Sequence, residues 1–120
     1  MSTLEVSNIS DGTTSVPAGY VVNGSAKAWV NGQDDATVLD SFNISSSTDN
    51  GVGTYQYNYT SSFSSSSYSS QSEARVGSSG AHTANTQSNV AGSLIIRCYK
   101  VSTNSADDRE NMVAVQGDLA

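Results

Sequence analysis

Residues 54–60, Thr-Tyr-Gln-Tyr-Asn-Tyr-Thr, place a tyrosine at every second position. A strand repeats its side-chain direction every two residues and a helix every 3.6, so this stretch suits a strand with Tyr55, Tyr57 and Tyr59 on one face. The rest of the chain agrees. Ala-Lys-Ala-Trp-Val at 26–30 sets Ala26, Ala28 and Val30 against Lys27 and Trp29. Thr37 to Ile44 reads as one strand with Val38, Phe42 and Ile44 on a common face, although Asp40 falls there too. Asp49-Asn50-Gly51 fits a hairpin turn, because Asn-Gly accepts positive φ, and the loop can extend through Gly53. Ser93 to Val101 is apolar on both faces, which predicts a strand covered on both sides. A loop followed by a strand near 68–76, a polar edge strand around 82–90 and a closing strand after Asn111 complete the set. No segment holds a 3.6-residue apolar period. The prediction is an all-β domain over residues 26–120, a small antiparallel β-sandwich (jelly-roll-like).

Composition supports this reading. Only 13% of the 120 residues are charged, about half the usual share. Serine, threonine, asparagine and glycine fill the gap, and the first three compete with a helical backbone for its hydrogen bonds. The net charge is −6, and the five basic residues are scattered. That excludes nucleic acid as a partner, since phosphates need a basic patch. An anionic membrane surface is disfavoured for the same reason. No apolar run approaches the ~20 residues of a membrane span, so no membrane insertion is expected. Met1 to Ser10 lacks a basic start and an apolar run, so no secretory signal is read there and synthesis in a cytoplasm is expected. Cys98 is the sole cysteine and sits in an apolar run, where it reads as a buried thiol.

Residues 1–25 stand apart. Leu4, Val6 and Ile9 are the apolar points of a short first strand, followed by Gly12, Pro17, Gly19 and Gly24. This punctuation predicts an extended arm that needs another surface to lie on.

Catalytic signals are absent. The acid pairs Asp34-Asp35 and Asp107-Asp108 match no calcium-loop spacing and read as solvated turns. His82 lacks a second metal-spaced histidine or cysteine and reads as a loop residue. There is no nucleophile elbow, phosphate loop or dinucleotide fingerprint. The expectation is no enzyme, no metal and no cofactor. The tyrosine row has three readings: a packed face in the core, a packed face against a neighbouring subunit, or a platform for sugar rings. Large apolar residues are few for this length, which favours completing the core's cover in a homo-oligomer.

Three stretches together carry a family resemblance: Asn23-Gly-Ser-Ala-Lys-Ala-Trp-Val-Asn31, Asp40 through Thr60, and Met112-Val-Ala-Val-Gln-Gly-Asp-Leu-Ala120. Their order and spacing resemble a small C-terminal domain of tailed-bacteriophage tail-fibre-like and other virion proteins, often of marine phages. Residues 1–17 also look like the short N-terminal arm of such proteins. The resemblance implies a virion location, an all-β fold, a homotrimer and no catalytic residues. On it rests the expectation of a tail-fibre-like or receptor-binding tip. Leu4, Val6 and Ile9 would attach the arm to other virion proteins by strand addition or groove filling, and loops would touch a host surface glycan or protein. The alternative is a capsid decoration protein at threefold sites of the head, bound to the major capsid protein. Short length favours decoration; the habit of the family favours the tail.

Overall fold

Turn residues divide the chain into short strands throughout. The computed structural model describes residues 1–77 and 80–120. In chain order the elements are β1 (Asn8–Ser10), β2 (Ser15–Pro17), α1 (Ala18–Gly24), β3 (Ala28–Gly32), β4 (Val38–Phe42), β5 (Ile44–Gly51), β6 (Thr54–Tyr59), β7 (Ser69–Ala74), β8 (His82–Val90), β9 (Ser93–Lys100), β10 (Ser105–Ala106) and β11 (Asn111–Gln116). Two sheets face each other, and every strand pairing is antiparallel. One sheet runs β8-β9-β6-β5, with β10 continuing the β6 side of β9. The other runs β4-β3-β11-β7. The chain is therefore a small all-β sandwich.

The core follows from period-two alternation. From one sheet come Tyr55, Tyr57 and Tyr59 of β6 and Leu94, Ile96 and Cys98 of β9. From the other come Ala28 and Val30 of β3 and Val113 and Val115 of β11. Small residues on β3 oppose large rings on β6, as Gly32 does the Tyr57 ring, so the layers interlock in one core cluster. Phe63 and Tyr68, from the serine-rich connection, plug one end. Their rings lie 4.6 Å apart, and Tyr59 meets Phe63 edge-on at 4.9 Å. The Tyr68 hydroxyl donates toward the Val90 and Ser93 carbonyls, tying that plug to the β8–β9 turn.

Serine also closes the open seams of the sandwich. β7 and β8 belong to different sheets, yet Ser70 Oγ and Thr86 Oγ1 sit 2.7 Å apart and Ser72 Oγ donates to the Ala84 carbonyl at 3.0 Å. On the opposite seam, Ser47 Oγ donates to the Ala36 carbonyl at 2.6 Å. These short hydroxyls satisfy edge groups that would otherwise invite another chain.

Two expectations need correction. The single strand expected over 37–44 is two strands in different sheets, broken at Asn43. That residue has φ of +59°, a left-handed conformation that asparagine tolerates better than most residues. Its amide is held by bonds to the Lys27 and Ser61 carbonyls and from the Ser61 N–H. A register shift within β4 between Val38 and Asp40 and the switch at Asn43 together cancel the shared face, so Phe42 points outward and is 56% exposed while Val38 and Ile44 pack against the core.

The second correction concerns residues 1–25, which are not extended. β1 and β2 form a hairpin across Asp11–Thr14, where Asp11 Oδ1 accepts the Thr13 and Thr14 N–H groups. Those bonds hold the Asp11 carboxyl below its ordinary pKa. Pro17 then leads into α1, a seven-residue helix with no buried residue. The molecule measures 50 × 30 × 24 Å with a radius of gyration of 16.6 Å, above the ~14 Å of a compact chain this long.

Candidate functional site

The tyrosine row lies inside the single chain. Tyr55 and Tyr57 have no exposed surface and Tyr59 has almost none, which leaves no ring face for a second subunit or a sugar. The row is a ladder in the core. The Tyr55 and Tyr57 hydroxyls reach past the apolar layer to separate polar partners. The Tyr57 hydroxyl donates to Asn111 Oδ1 at 2.5 Å, and Asn111 in turn donates to the Arg109 carbonyl at 3.1 Å. Gly32 makes room for this bond, since a Cβ there would sit 2.2 Å from the Tyr57 oxygen. Burial raises the pKa of Tyr55, Tyr57 and Tyr59 well above the ordinary phenol value. These hydroxyls stay neutral. Burial likewise pushes the Cys98 thiol up to about 11, so it is no thiolate at neutral pH.

A polar cluster closes the end of the sandwich opposite the Phe63–Tyr68 plug. The Tyr55 hydroxyl lies 3.0 Å from the Asp34 carbonyl and 3.2 Å from Asp108 Oδ1, and it accepts the Arg109 N–H at 3.2 Å. Asp108 Oδ1 also accepts the Gly53 N–H at 2.6 Å. Beside it, His82 Nε2 lies 2.7 Å from Asp107 Oδ2, and Arg109 reaches Asp107 Oδ2 at 3.0 Å. His82 Nδ1 donates to the Gly80 carbonyl at 2.9 Å. Nε2 is left between the Asp107 acceptor and the Arg109 Nε–H donor at 3.0 Å. Charged, the ring donates to Asp107; neutral, it accepts from Arg109. The hydrogen bond from His82, followed by the Arg109 charge, holds the Asp107 carboxyl below its ordinary pKa.

This cluster overturns two expectations. His82 is not a loop residue: it opens β8 with its side chain fully covered. Asp107 and Asp108 are more than a solvated turn: Asp108 is exposed and Asp107 partly so, yet together they fasten the β10–β11 connection to β6 and β8. Sequence reading missed them because the partners are 25 to 55 residues apart, and only the pairing of β8 and β10 on opposite sides of β9 brings them together. Both ring nitrogens serve neighbouring groups of the fold, so the arrangement acts as a clamp. Asp34 and Asp35 do form an exposed turn, with Asp35 Oδ1 accepting the Thr37 N–H. Among the described residues, no group of three His, Cys, Asp or Glu side chains could hold a metal. No helix among them is long and apolar enough to cross a membrane.

The remaining candidates are in the arm. Leu4 is 85% exposed, and Val6 and Ile9 are 43% exposed each. Val16, Tyr20, Val21 and Val22 join them, so half of the sixteen exposed large apolar side chains among the described residues, counting Met1, fall in the first 25 residues. That is about a fifth of the chain, and the concentration marks the arm as the unsatisfied part of the molecule. The Asp11-Gly12 pair was the available sequence signal for its hairpin. No family model, no curated protein and no solved structure matches this chain.

Proposed function

We propose that this protein is a non-catalytic structural module of a tailed-phage virion, docked by residues 1–25 and presenting the sandwich of residues 26–120 outward. The observation that carries the proposal is the arm's lack of support. A lone two-stranded hairpin is marginal in water, and so is a helix of seven residues. Here both occur in sequence with no buried side chain, and their apolar residues face solvent. Such a segment gains its stability from a surface it covers. Leu4, Val6 and Ile9 are the side chains with which it fills a groove or adds a strand. The virion setting, the tail-fibre-like placement and a homotrimer rest on the resemblance of the three stretches described above.

The test is removal of the arm. Protein lacking residues 1–25 keeps the melting transition of the sandwich but no longer binds particles assembled without it. Leu4→Ser, Val6→Ser and Ile9→Ser combined in the full chain give the same loss. Undiminished particle binding by either variant overturns the proposal.

A further inference from the structure

Lys27 carries the hydrogen bonds that join residues 1–25 to the sandwich. β1 and β2 pair only with each other, and α1 buries no side chain. The backbone of Lys27 is fixed from two sides. Its N–H donates to the Val115 carbonyl of β11 at 2.8 Å, and its carbonyl accepts the Asn43 side-chain amide at 3.1 Å. From that footing the side chain turns back under α1. Its ammonium donates to the Val22 carbonyl, to the Ser25 carbonyl at 3.1 Å and to Ser25 Oγ at 3.0 Å. An ammonium has three N–H donors, so each has an acceptor here. Among the described residues, no other hydrogen bond crosses from residues 1–25 to residues 26–120.

We infer that Lys27 is a positioning residue that clasps the end of α1 and sets the direction in which the arm leaves the sandwich. The inference rests on the docking role of residues 1–25 proposed above and adds how that arm is aimed. The last carbonyls of a helix have no partner within it. The Ser25 N–H takes the Val21 carbonyl at 3.2 Å, and Lys27 takes the next one. Its positive charge also suits the negative end of the helix dipole, and α1 has no basic residue of its own in the last turn. Between α1 and Lys27 lie only Ser25, which is extended with φ of −76° and ψ of 148°, and Ala26. Gly24 precedes them and has no side chain to limit its rotation. Without the clasp this joint would swing. With it, the joint is tied to Asn43, the residue at which the chain passes from one sheet to the other. A docking segment held in one direction loses less freedom on binding than one on a loose tether, and a larger fraction of it stands ready to dock.

Arm direction is read in the full chain from the distance between spin labels at Tyr20→Cys on α1 and Val52→Cys at the β5–β6 turn. Both positions are exposed, and Cys98 is buried and escapes labelling. The expected result is one narrow distance distribution. Lys27→Met keeps the aliphatic stem but removes the charge and all three donors, and it broadens the distribution. Lys27→Arg keeps charge and donors and restores much of the narrowness. Melting of the sandwich is unchanged in both, because the backbone bonds of residue 27 to Val115 and Asn43 remain. Affinity for particles assembled without the chain falls about fivefold in Lys27→Met. A broad distribution in the parent chain overturns the inference, and so does a distribution in Lys27→Met as narrow as the parent's. Equal particle affinity of parent and folded Lys27→Met overturns the aiming role. A parent chain that binds no particles defeats the docking reading instead, and the label distances then decide the clasp alone.

Discussion

Removing single hydroxyls from the tyrosine ladder should have unequal consequences at neighbouring rungs. Tyr57 and Asn111 are both fully buried, and their 2.5 Å bond joins β6 of one sheet to the start of β11 in the other. Tyr57→Phe keeps the ring but strands Asn111 Oδ1 in the core. An unsatisfied buried acceptor costs about 1–3 kcal/mol, and Gly32 and the opposing sheet leave no space for water to replace the donor. We expect about 2 kcal/mol. At roughly 4 °C per kcal/mol for a chain of this size, the melting temperature falls by about 8 °C. The Tyr59 hydroxyl is covered too, but it forms no hydrogen bond of good geometry and interacts only weakly with the Tyr68 hydroxyl, so Tyr59→Phe removes a poorly compensated polar group and leaves stability nearly unchanged. Thermal and urea denaturation followed by circular dichroism measure both variants. Equal losses at the two positions, or no loss for Tyr57→Phe, would refute the reasoning.

Two further outcomes follow from the same core. Tyr55, Tyr57, Tyr59, Tyr68 and Cys98 all have raised pKa values through burial. Their stabilising contribution is complete below the unfolded-state values, near 8.5 for the thiol and about 10 for the phenols, and is lost as pH climbs from there toward the folded-state values. The melting temperature should hold to about pH 8.5 and then drop, with tyrosinate absorbance of the buried four rising only as the fold is lost. Ionisation of those tyrosines near pH 10 in a chain with unchanged circular dichroism contradicts this. Gly53 has φ of +65°, and a Cβ there would lie 2.7–2.9 Å from backbone atoms of Cys98 and Asp107. Gly53→Ala therefore forces apart the strand junction below the His82 clamp and should cost more than about 2 kcal/mol; a loss under 1 kcal/mol in urea unfolding would show that the junction yields.

The legible parts of the fold were those with an uninterrupted period. Tyr55, Tyr57 and Tyr59 share a face because nothing breaks β6. The same holds for Ala28 and Val30 on β3 and for Leu94, Ile96 and Cys98 on β9. The expectation failed at Asn43, where one left-handed residue moves the chain between sheets and reverses the meaning of every alternation that spans it. That switch, with the register shift inside β4, takes Phe42 off the face it was expected to share with Val38 and Ile44, and with it the aromatic surface beside Trp29 went unrecognised. The His82 clamp was illegible on other grounds. Its members come from the start of β8 and from the β10–β11 connection, and their contacts exist only once β9 has paired on both edges. The apolar arm residues were legible as a group; their hairpin and helix were not, because Gly12, Pro17, Gly19 and Gly24 weigh against regular structure locally.

The most direct measurement is electron cryo-microscopy of purified phage particles, locating this chain and counting its copies. The account predicts a few trimers at the tail, each with residues 1–25 buried in a neighbouring protein and residues 26–120 facing outward. Hundreds of copies on the head would keep the arm-docked module but make it a decoration protein. Particles without the chain, or a chain whose arm contacts nothing, would contradict the account.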